Sequence, residues 1–185
     1  MSGGHGAGGS SNRRVALLIS VLALFLAFSE TLGKAAQTDA IGANVEAANQ
    51  WAFFQARTIR ATVLKTADEA LALIPPGPNP DAVAAKRADW AKTIARWESE
   101  PATGEGRKEL AEKAKAAQGQ RDLSLLRYHH YELASAAFQI GIVLASAEVI
   151  TGIVALVFVG GFLGAAGAVL LGFGYLAPHA LPFLH

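Results

Sequence analysis

The sequence contains no cysteine, which excludes disulfides, thiolate metal sites and thiol catalysis. It also contains no phosphate-cradling glycine loop, no H-E-x-x-H and no G-x-S-x-G. No residue pattern points to a catalytic centre, so the chain is expected not to be an enzyme and to need no cofactor or metal. The stretch "GGFLGAAG" at 160–167 has the glycines of a phosphate loop, but its apolar setting fits a helix-packing ridge. Charge is missing from long regions: of 16 Lys and Arg, 14 fall between residues 34 and 131. The net charge is only +1 and the basic residues alternate with acids, which excludes the basic stripe of a nucleic-acid binder.

What remains is apolar. Hydrophobic residues make up 52% of the chain and the mean hydropathy is +0.30, too high for an ordinary soluble domain. Residues 13–33, opening on Arg13 and Arg14, have the length and composition of a first transmembrane helix. A cleavable signal peptide competes with this reading through the small residues around Gly33 and Ala35, but the helical pattern runs past them and favours an uncleaved anchor. The Gly-rich segment 1–12 is expected to be a disordered tail. The second apolar run, Leu133 to Ala177, is long enough for two spans. With a turn at Gly160-Gly161, it divides into helices over 132–159 and 160–177, closed by Pro178 and a short tail to residue 185.

Between the spans, residues 34–131 are polar but helical in pattern. Ile41, Val45, Ala48, Ala52, Ala56, Ile59, Val63, Ala67, Ala70 and Ile74 recur at steps of three and four that repeat every eleven residues. That period predicts a long, nearly straight helix with this stripe as its core face. "PPGPNP" at 75–80 ends it, and Asn79-Pro80 reads as a helix start. "PATGEG" at 101–106 breaks the returning helix. At about 1.5 Å per residue, the outgoing helix is roughly 60 Å long and the two returning pieces, about 27 and 39 Å, come to roughly 66 Å together. The segment is therefore expected to be an antiparallel, coiled-coil-like hairpin. The aromatic side of Trp51, Phe53, Phe54, Gln55 and Arg57, with Gln50, is the expected contact region with another protomer. The alternative is that these rings cover Trp90 and Trp97 within one chain.

The apolar run carries one acid, Glu148, on a small-residue face with Ala134, Ala137, Gly141, Ala145, Gly152 and Ala155. Gly160, Gly164, Ala168 and Gly172 form a second such ridge, and Ala16, Ser20, Ala23, Ala27 and Glu30 a third. An acid among lipid tails is costly unless protonated or hydrogen-bonded, so Glu148 is expected to face another helix. Ser20, Gln139, Ser146 and Thr151 are its candidate partners. Its role is either to fix helix register or to serve as a proton or cation site. "RYHHYE" at 127–132 places Tyr128, His129, His130 and Tyr131 as membrane-interface anchors. Adjacent histidines point about 100° apart on a helix and cannot chelate one metal together.

The stretches "ETLGKAAQTDAI", "NQWAFFQARTIR", "SEPATGEG" and "YHHYELASAAFQIGIVLAS" resemble a bacterial membrane-protein family known only as a domain of unknown function, over about residues 12–180. The resemblance implies an N-terminal span and a C-terminal pair in the bacterial inner membrane. It brings no activity, cofactor or catalytic residue. Arg13 and Arg14 before the first span are opposed by Lys34, Arg121 and Arg127 on the stalk side. Because the first helix usually dominates, the N-terminus is expected in the cytoplasm and the hairpin in the periplasm. The expected protein is thus all-α, in contact with membrane lipids, non-enzymatic and homo-oligomeric, with a stalk that offers a surface to a protein partner. The competing expectation is an ion- or proton-coupled membrane subunit that uses Glu148.

Overall fold

The computed structural model describes residues 7–75 and 77–180. They form four α-helices and a 3₁₀ turn, with no strand among them: α1 (Ala7–Ala72), α2 (Pro80–Glu98), α3 (Arg107–Thr151), α4 (Ala155–Leu176) and Pro178–Ala180. Three helices, α1, α3 and α4, are long and apolar enough to cross a membrane. α1 already begins at Ala7, so the second half of the Gly-rich tail is helical. Residues 1–6, Pro76 and 181–185 lie outside the described residues. The chain divides into two compact units: residues 1–40 with 122–185, and residues 41–121.

In the first unit, α1 and α3 run antiparallel with α4 packed against both. Leu22, Ala134 and Phe138 form the buried centre, with Leu18, Leu26 and Leu171 around it. Phe25 stacks on Phe138 at a centroid distance of 5.7 Å, and Ser29 Oγ donates to the Tyr131 carbonyl at 2.7 Å. Small residues let the backbones approach: a Cβ on Gly141 would lie 2.8 Å from the Gly160 carbonyl oxygen, and one on Gly160 2.7 Å from that of Gly141.

The turn between α3 and α4 is at 152–154, not at Gly160-Gly161. Gly152 takes φ +71°, and its N–H closes α3 on the Glu148 carbonyl at 2.7 Å, a left-handed helix cap that favours glycine. Gly160 is needed inside α4 for the close approach to Gly141, so the glycine pair marks a contact and the bend falls eight residues earlier.

In the second unit, α2 and the start of α3 return antiparallel along α1. Asp68 receives Arg87 at 2.6 and 3.1 Å, and Arg57 pairs with Glu105 at 2.7 Å. α2 starts as the sequence indicates, with Asn79 Oδ1 accepting from the Ala82 N–H at 3.4 Å ahead of a proline in the first turn. The break is tied rather than loose. Glu109 accepts from Ser99 Oγ at 2.6 Å and from the Glu100 N–H at 3.2 Å, and Arg107 reaches back to Glu98 at 2.9 Å.

The packing face of α1 in this unit differs from the expected stripe. Ala43, Ala47, Gln50, Phe54, Arg57, Ala61, Leu64, Asp68 and Leu71 are buried or half-buried, at alternating steps of four and three. That is a seven-residue repeat, the seam of a left-handed pairing. Of the eleven-repeat stripe only Ala56 and Ala67 are half-buried; the other eight positions are exposed. The seam that packs is the one that carries the partners of the returning helices: Arg87, Glu105 and Arg107 meet Asp68, Arg57 and Phe54 on it, and the more apolar side of α1 faces out.

Candidate functional site

The most distinctive surface is the outward side of α1. In the second unit Ile41, Val45, Ile59 and Val63 are 53–63% exposed, and Ala48 and Ala52 between them and Ala70 beyond them are exposed too. At about 100° per residue this side lies roughly opposite the face that holds α2 and α3. In the first unit the small residues Ala16, Ser20, Ala23 and Ala27 on α1 are also exposed. The inward face there is Val15, Leu22, Ser29, Gly33 and Ala36 instead. The small-residue seam expected to pack within the first span therefore faces away from the other helices of its unit.

The expected aromatic contact region splits in two. Phe54 lies under the Arg107 guanidinium at 5.1 Å and meets Trp51 edge-on at 5.4 Å, so both rings serve the hairpin itself. Arg57 is committed to Glu105. Phe53 and Gln55 remain exposed. The partner that the structure gives the Phe54 ring face is a cation at the start of α3, and Trp90 and Trp97 are half-buried. A cleft of about 450 Å³ beside them is lined by Phe53, Arg57, Arg60, Thr103, Glu105 and Lys113. Lys113 Nζ is held on the Gly104 carbonyl at 2.8 Å.

Glu148 is 7% exposed and faces inward, as the small-residue face requires. None of its expected partners reaches it. Ser20, Ser146 and Thr151 each donate to the carbonyl four residues back, and Gln139 reaches Glu30 at 3.5 Å. Its Oε2 is buried without a hydrogen-bond partner. Because the turn is at 152–154, Glu148 sits one helical turn from the end of α3 rather than in mid-span. Phe25 opposite Phe138 and Leu22 against Gly141 set the register of α1 and α3. Continued by seven residues, that register puts Glu148 level with Val15, beside Arg13 and Arg14 in sequence.

The four aromatic and imidazole positions at 128–131 also divide. Tyr128 and His129 are partly or fully exposed and both approach Glu132, at 3.3 and 3.8 Å. His130 and Tyr131 are buried against Gly174 of α4, and His130 Nδ1 is 2.8 Å from the Leu126 carbonyl. Among the packing glycines, Gly141, Gly160 and Gly164 fill contacts; Gly152 is the turn, and Gly172 meets open space. Gly167 against Phe138 and Gly174 against Tyr131 are packing glycines outside the expected set, and their successive steps of seven from Gly160 are the sequence signal for them. No group of three or more metal-ligating side chains exists among the described residues.

Helical throughout its described secondary structure, with three helices long and apolar enough to cross a membrane, the chain falls in the class of all-α proteins with candidate membrane spans. Within that class the chain belongs to the family described as a domain of unknown function, DUF4337, whose model matches residues 11–177. No curated protein and no solved structure matches it.

Proposed function

We propose that this is a non-enzymatic, self-associating protein of the bacterial inner membrane, in which copies meet along α1. The observation that carries the reading is the outward seam of α1, with exposed alanines and β-branched residues at 41–74 and exposed small residues at 16–27. Copies inserted in one orientation present α1 to each other in parallel, so each seam meets its own repeat. Alanine and serine at steps of three and four allow close approach within lipid. An eleven-residue apolar repeat supports a nearly straight coil between copies outside it. Arg13 and Arg14 favour a cytoplasmic N-terminus, with residues 41–121 in the periplasm, where the assembled stalk is open to a protein partner.

Mass photometry of the full chain in mild detergent tests the reading. The wild type is expected to run as an oligomer, and Ile59→Asp with Val63→Asp as a monomer of unchanged helicity. A monomeric wild type, or an oligomer indifferent to both charges, would overturn it.

A further inference from the structure

We infer that copies of this protein are held in register by ion pairs between Glu30 of one copy and Lys34 of the next, on the outward seam of α1 at a membrane boundary. The inference rests on the membrane-spanning and self-association readings. From Ala23 and Ala27 the seam continues to Glu30, Lys34 and Thr38 at steps of four, three, four and four, and all five residues are exposed. The two charges therefore stand in the seam itself. α4 has 22 residues, about 33 Å long, against a hydrocarbon core of about 30 Å. Its last turn thus falls at a membrane boundary. Gly174 in that turn packs on Tyr131, and a Cβ on Gly33 would lie 3.6 Å from the Tyr131 Cβ. Glu30 and Lys34 flank Gly33 in the chain and share that depth.

A glutamate and a lysine four residues later on a helix ordinarily pair with each other. Here they do not. Among the described residues the Lys34 ammonium has neither an ion pair nor a hydrogen bond. The Glu30 carboxylate receives the Gln139 amide alone, at 3.5 Å. Glu132 lines the same groove as Lys34 but is approached instead by Tyr128 and His129, at 3.3 and 3.8 Å. One acid and one base are thus left on the face that meets the next copy. In a parallel, in-register pair of helices, a seam residue touches its own counterpart and the seam residues one step along from it. Glu30 of each copy then meets Lys34 of the other, in two symmetric contacts. Like charges within one layer are offset by opposite charges in the next. A slip of one helical turn would keep only one of the two contacts, so the pairs select the register as charged and polar seam positions do in coiled coils. At the edge of the hydrocarbon, where water is thinner, each pair attracts more strongly than in open solvent.

Two full-length chains with different affinity tags, one carrying Glu30→Lys and the other Lys34→Glu, test this by expression alone and together, with association measured in mild detergent. Each variant alone has like charges at both positions, within its chain and across its own pair. It is expected to associate about tenfold more weakly than the wild type at unchanged helicity. Expressed together, the two chains still carry like charges internally but present opposite ones to each other. Their mixed pair is expected to return to within about twofold of the wild type. Contacts between copies are rescued in this way, whereas a Glu30–Lys34 pair inside one chain is not, and the rescue also shows that neither chain is misfolded. A wild type that self-associates no better than the two single variants, or a mixture no tighter than either variant alone, would overturn the pairing. A monomeric wild type would overturn it together with the self-association reading.

Discussion

The two units bury their helices by different means. In residues 1–40 with 122–185, contact comes from the absence of side chains: Gly141 faces Gly160, and Leu22 and Phe138 fill what the glycines leave. In residues 41–121 the paired faces are small and partly polar, held by Asp68–Arg87, Arg57–Glu105 and Phe54 under Arg107. α2 contributes no buried residue at all. The difference fits the solvents that the membrane-spanning proposal gives the two units. Lipid would give no hydrophobic incentive, so close approach and dispersion must suffice. In water an alanine seam contributes little apolar area, and ion pairs and cation–π contacts fix the register instead.

The largest effect that this contrast predicts is at the glycine contact. Gly141→Leu drives a side chain into the backbone of Gly160 and is expected to cost about 3 kcal/mol or more. Gly172→Ala meets nothing and is expected to be neutral. Thermal unfolding of both variants in detergent measures the difference; equal losses would contradict the packing described.

A smaller effect concerns pH and belongs to the hairpin. Hydrogen bonds from Arg87 to Asp68, and from Ser99 and the backbone to Glu109, hold both carboxyls below their usual range. Folded values below unfolded ones mean stability that is present above the ordinary carboxylate pKa of about 4 and lost as pH falls through the folded values. Circular dichroism melts from neutral pH downward are expected to show the hairpin loosening in that range. Glu109→Gln is expected to flatten the acid side of the profile; an unchanged profile would remove Glu109 from the account.

The smallest expected effect is at Glu148. Its Oε2 has no partner to lose, and it lies a turn from the α3–α4 bend at the level of Val15. Glu148→Gln is expected to leave stability within about 0.5 kcal/mol and assembly unchanged. Ion flux in liposomes that vanished in this variant would restore the coupled-subunit reading.

The helices themselves were legible. Prolines at 75–80 and the small polar run at 101–106 mark both interruptions, and the Asn79 cap and the inward side of Glu148 follow from local rules. Which face of α1 packs was not legible. Two periodic seams lie on one helix, and the more apolar one is the natural choice from sequence. The other seam meets charges 19 and 48 positions away in the chain, Arg87 facing Asp68 and Glu105 facing Arg57, whose pairing no local pattern reveals. The α3–α4 turn was missed for a related reason. A glycine pair can serve a bend or a contact, and only the partner Gly141 decides between them.

Because the chain has no native cysteine, single cysteines placed from Ala40 to Ile74 and oxidised in membranes test the central claim most directly. The account predicts cross-linked dimers that peak at Ile41, Val45, Ile59 and Val63 and fall to background at Ala47, Ala61 and Leu64. Cross-linking that followed the second set, or that showed no period at all, would contradict it.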